Sequence, residues 1–160
     1  MKKIFVFVCI ALCAFSLQGF AADSKLLEVR NKIFDESKEL RVLLTGSQDV
    51  ILISSLWDSC LMTITQLDAY FSMLGIVNTI RAEDTSDQAL TYLVSWLNEI
   101  MRSTDLNIKS LNTIMQSLEP RTKLKIAILK NYFADLNSQV SVELNKLSLL
   151  KKTLTPKKRK

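Results

Sequence analysis

Three groups of residues in this 160-residue sequence carry chemistry that could act on something else. One is a lone cysteine, Cys60, in the stretch LWDSCLMTI. The second is a set of carboxylates, Asp58, Asp68, Glu99 and Asp105. The third is a closing run of cations, Lys157, Lys158, Arg159 and Lys160. A thiol acts as nucleophile or metal ligand only as the thiolate. Carboxylates do acid–base work when two of them share a site. A cationic run attracts anionic surfaces.

The chain has no histidine. The commonest general base and the commonest transition-metal ligand are therefore missing. Haem attachment through Cys-x-x-Cys-His and the Glu-x-x-His pairs of a di-iron bundle are both excluded. Cys9 and Cys13 fall in the first 21 residues, so Cys60 stands alone in the rest, with no Cys-x-x-Cys pair. Gly46 and Gly75 are too far apart for a phosphate-binding loop. The four carboxylates are not spaced to share one helix face and read as solvated charges. The stretch EDTSD, Glu83 to Asp87, lacks the alternating ligands and glycine of a calcium loop. No catalytic residue, metal or cofactor is expected, and the chain reads as a non-enzyme.

The cations are the more informative group. From Ala22 to Pro120 the sequence has 8 Lys/Arg against 14 Asp/Glu; from Arg121 to Lys160 it has 11 against 2. The last quarter is a cationic element on a mildly acidic body. In its helical part, pairing with acidic neighbours accounts for the excess. Pro156 ends the helix, and four like charges that follow repel one another, so the run is expected to stay disordered. Lys157, Lys158, Arg159 and Lys160 are the candidate binding residues, aimed at an anionic surface. At about 1 kcal/mol per cation near an anionic membrane, four of them localise a protein without anchoring it.

Residues 1–21 read as a secretory signal. MKK is its basic start, Ile4 to Leu17 its apolar run, and Gly19 and Ala21 the small residues before cleavage. No later segment is expected to approach a membrane span, so the exported form, periplasmic or secreted, carries no transmembrane anchor. Residues 22–154 form one domain and 155–160 a basic tail.

The elements that must position these residues are helices. After the signal only Gly46, Gly75, Pro120 and Pro156 punctuate the chain, too few for the turns of a sheet protein. Gly46 with Ser47, the polar corner AEDTSDQAL, and Pro120 divide it into four helices, about 24–45, 48–82, 86–118 and 120–153. Their matched lengths and short links predict an all-α, up-down antiparallel four-helix bundle.

The second helix repeats Val50, Ile53, Trp57, Cys60, Ile64, Leu67, Phe71 and Leu74 at the 3–4 spacing of a packing seam, widened by Leu56, Tyr70 and Val77. The fourth repeats Ile126, Leu129, Phe133, Leu136, Val140, Leu144 and Leu147. The first offers Leu26, Val29, Ile33, Leu40 and Leu43 or Leu44. In the third, Leu93, Leu97 and Ile100 lead to Thr104 and Asn107. That pattern favours a break near 103–107, with a buried polar layer as the alternative. Gly75 reads as a close helix contact or a kink.

Two functions remain. The first is an exported bundle that acts by binding a protein partner or an anionic envelope surface, with no nucleic acid expected. The alternative is a carrier of an apolar small molecule, lined by Met62, Met73, Met101, Met115, Trp57 and Trp96. Cys60 falls on the second helix's seam, which predicts an inert core thiol in a monomer; a Cys60-linked dimer is the alternative.

Overall fold

The computed structural model describes residues 25–43, 49–79 and 87–154. The expected signal at 1–21, Leu44, Gly46 and Ser47, residues 82–86 of the polar corner and the expected tail at 155–160 lie outside the described residues. The described chain forms four helices: α1 (25–43), α2 (Val50–Thr79), α3 (Asp87–Ile114) and α4 (Pro120–Leu154).

Local chemistry explains the helix ends. The α2 ladder opens with the Ile53 amide donating to the Asp49 carbonyl at 2.9 Å. The α4 ladder opens with the Lys123 amide donating to the Glu119 carbonyl at 2.8 Å. Pro120 therefore occupies the first helical position, where no N–H is needed. The end of α3 comes four residues earlier than the expected 118. Gln116 and Ser117 donate to the carbonyls of Thr113 and Ile114, a tightening that closes the helix before Glu119 and Pro120.

The helices run up, down, up, down. Arg30 meets Asp68 and Arg41 lies over Trp57, which sets α1 antiparallel to α2. The Trp96 indole donates to the Gln66 carbonyl at 3.0 Å, and Asn107 donates to Thr63 Oγ1 at 3.4 Å, tying α3 to α2. Between α3 and α4 the rungs are Met101 with Ser141, Asp105 with Asn137, and Thr91 with Lys151. The ring closes where Lys125 of α4 meets Glu36 and Glu39 of α1.

The interior is built from all four helices, among them Leu26, Ile33, Leu40, Ile53, Leu67, Leu97, Ile100, Leu129, Phe133 and Val140, each 1% exposed or less. Each such side chain contributes about 1.5–3 kcal/mol by leaving water. Every seam residue expected in α4 is buried except Leu144, which is half-buried beside a buried Glu143.

Several expectations are corrected. First, the α2 seam holds at Ile53, Cys60, Ile64, Leu67 and Leu74 but shifts by one residue at two of its places. Leu56 and Tyr70 are buried, while Trp57 and Phe71 are half-buried at the edge and Val50 is exposed. The Tyr70 ring lies inside, with its hydroxyl 3.5 Å from Glu143 Oε1 across the bundle. Second, α3 is continuous through 103–107. Thr104 is fully buried in the seam, and its hydroxyl donates to the Ile100 carbonyl at 2.7 Å, so it needs no break to be satisfied. Gly75 likewise marks no close helix contact: α2 runs through it, and a Cβ there would meet nothing within 4 Å.

Third, α2 from Val50 to Val77 is long and apolar enough to cross a membrane by length and composition. Its only charges are Asp58 and Asp68. Its inner face fills the bundle core, and its outer face exposes Ile51, Met62 and Ile76.

Candidate functional site

Cys60 is fully buried among core residues of α2. Burial, with the nearby Glu36 carboxylate adding to it, pushes its thiol pKa up to about 12. The thiolate is thus absent at neutral pH, and the side chain acts as a small hydrophobe.

The four candidate carboxylates are spread over the surface. Asp58 is exposed on the outer side of α2. Asp68 holds Arg30 through two hydrogen bonds at 2.8 and 3.0 Å. Glu99 pairs with Arg102 one turn later, which lowers the carboxyl pKa; Asp105 accepts from Asn137. Among the described residues no three His, Cys, Asp or Glu side chains gather as a metal site would require.

Two carboxylates that matter were not singled out from the sequence. Glu36 is 8% exposed and Glu143 is 4% exposed. Both occupy seam places: Glu36 stands between Ile33 and Leu40, Glu143 between Val140 and Leu147. A charged residue at core spacing was the available signal. Burial raises the Glu36 pKa above its ordinary value, opposed by Lys125 at 3.9 Å and assisted by Glu39. Glu143 accepts from the Tyr70 hydroxyl at 3.5 Å and pairs with Lys146 at 3.4 Å.

The six methionines and tryptophans of the carrier alternative do not gather in the interior. Met62 is exposed, and the other five are half-buried at the edges of the helices. Trp57 lies under Arg41, Trp96 is bound to the α2 backbone, and Met101 accepts from Ser141.

A groove does open on the surface. It lies between the first turns of α3 and the last of α4, has a volume of about 370 Å³, and is lined by Thr91, Val94, Ser95, Ser148, Lys151 and Lys152. The Lys151 ammonium donates to Thr91 Oγ1 at 2.7 Å and pairs with Asp87 at 3.4 Å. Thr91 in turn donates to the Asp87 carbonyl. Lys157, Lys158, Arg159 and Lys160, outside the described residues, follow in sequence from the α4 end of this groove.

Fold and side chains define the class as an all-α four-helix bundle with a cationic final helix. No family model matches the chain, nor does any curated protein or solved structure.

Proposed function

We propose that this chain is an exported, non-enzymatic helical bundle that adsorbs to an anionic envelope surface through its basic C-terminal end. The single observation that carries this is the placement of charge. The sequence from Arg121 onward has nine more cations than anions, and α4 ends with Lys151 and Lys152 immediately before the tail. Lysines in the last turn of a helix oppose its negative dipole end, and the four further cations exceed what that role requires.

The test is adsorption to anionic vesicles at low salt. Removing Lys157 to Lys160 should weaken it markedly, and rising ionic strength should mimic the deletion. Adsorption unchanged by the deletion rules the reading out.

A protein partner is the second reading, favoured by the outer face of α2. Ile51, 85% exposed, and Ile76, 62% exposed, mark the ends of a stripe that passes through Met62 and carries one charge, Asp58. Exposed apolar surface of this kind is where partners dock. Crosslinking in the host should yield an adduct that Met62→Lys with Ile76→Lys abolishes; an identical pattern from both proteins dismisses it.

A further inference from the structure

We propose that the groove between α3 and α4 is a binding site for a phosphate ester of a small polyol, the chemistry of a phospholipid headgroup or of its soluble counterpart. This rests on, and deepens, the reading of an anionic surface as the target.

The donors are already in place. Ser95 of α3 and Ser148 of α4 face the groove from its two sides, and neither hydroxyl has a hydrogen-bond partner among the described residues. Each can donate to a phosphoryl oxygen without giving up an existing bond. Lys152 is exposed at the same rim and forms no ion pair among the described residues. Lys151 adds a second positive charge, held in position by Thr91 and Asp87. Ammonium groups serve phosphate as point charges, and hydroxyls supply direction.

Asp87 offsets one of the two lysine charges. The groove alone is therefore weakly cationic, and it selects by hydroxyl donation more than by charge. The groove is half-open and lined mostly by apolar atoms, and its volume of about 370 Å³ exceeds what a bare phosphate fills, leaving the carbon frame of a glycerol or sugar room beside the hydroxyls. The basic tail begins a few residues beyond Lys152. A surface that attracts the tail thereby brings its headgroups to the groove, so the tail supplies attraction and the groove supplies recognition.

The experiment is an NMR titration of the whole exported protein with glycerol 3-phosphate, alongside co-sedimentation with phosphatidylglycerol vesicles. Saturable shifts should appear at the amides of Thr91, Ser95, Ser148 and Lys152. The double variant Ser95→Ala/Ser148→Ala should bind the soluble probe about tenfold more weakly, the effect of losing a hydrogen bond to a charged group. Both sites are exposed and helical, so alanine leaves the fold intact.

Competition by vesicles for the soluble probe assigns the groove to lipid headgroups. Vesicle binding that leaves the probe titration unchanged assigns it to a free phosphate ester. The absence of saturable shifts, or equal binding by the double variant, overturns the proposal. Neutralising Lys157 to Lys160 should remove vesicle adsorption yet leave probe binding in place. Failure of the tail reading and failure of the groove are thereby told apart.

Discussion

Cys60 and Glu36 are polarisable groups held near each other in the same apolar interior, and the surroundings act on both in one direction. Burial disfavours the charged form of each, and each anion would repel the other. With its pKa at about 12, the Cys60 thiol should be silent to disulfide reagents at pH 8 in the native protein and react fully once denaturant unfolds it. The protein should also run as a monomer without reductant. A native reactive thiol, or a reducible dimer abolished by Cys60→Ser, would require the α2 core face to be open.

Glu36 makes a pH prediction. Its folded pKa stands above the ordinary value of 4.5, so the folded state binds its proton more tightly than the unfolded chain does. The stabilisation is fully present below pH 4.5 and is lost as the pH rises through the folded value. Lys125, Glu39 and Cys60 are the titratable groups that act on it. Glu36→Gln should flatten this fall, seen as a denaturation midpoint that changes less between pH 4.5 and 7. An unchanged pH profile would show that Glu36 is solvated as freely in the fold as out of it.

At the scale of the helices, sequence spacing located the elements well and their faces less well. Pro120 begins α4 as its missing N–H predicts, and the seam of α4 is buried almost throughout. The α2 seam is buried at Ile53, Cys60, Ile64, Leu67 and Leu74 as spaced, but the flanking face is apolar too, so spacing alone could not decide between Trp57 and Leu56 or between Phe71 and Tyr70. The hydroxyl partner of the buried Tyr70, Glu143, is 73 residues away in sequence and outside the reach of any local pattern. In α3 a polar pair at seam places has the same pattern whether the helix breaks or buries it. Back-bonding of Thr104 to Ile100, and the reach of Asn107 to Thr63, are what distinguish the two.

Because the Thr104 hydroxyl is satisfied inside its own helix, Thr104→Val should alter stability by no more than about 1 kcal/mol in denaturant titration. A loss of several kcal/mol would mean the hydroxyl holds the bundle together across helices. Gly75 has the opposite status, a helix-interior glycine with open space where a Cβ would go. Gly75→Ala should raise stability by roughly 0.5–1 kcal/mol. A decrease would reveal a packed neighbour at that face.

The molecule as a whole is a ring of four antiparallel contacts, and its closing contact is between the first and last helices. Lys125 serves two carboxylates there, at 3.9 Å from Glu36 and 3.3 Å from Glu39. This is also where the acidic body of the chain meets its cationic final helix, so the global charge division has a structural use apart from any partner. The candidate groove lies toward the opposite end, between α3 and α4, and neither end was legible as a site. Its hydroxyls come from residues 53 positions apart, and only the α3–α4 register brings them together.

The closing contact can be tested against pH. Removing Lys125 leaves the Glu36 carboxylate buried without its cation, which costs most when that carboxylate is ionised. The Lys125 side chain is 35% exposed, so solvent screening limits the cost to about 1 kcal/mol. Lys125→Met should therefore destabilise the protein at pH 7 and much less at pH 4. In the Glu36→Gln background the same substitution should cost little at either pH. A Lys125→Met penalty that is equal at both pH values, and persists in the Glu36→Gln background, would place the energy of ring closure in the lysine's aliphatic packing instead of its charge.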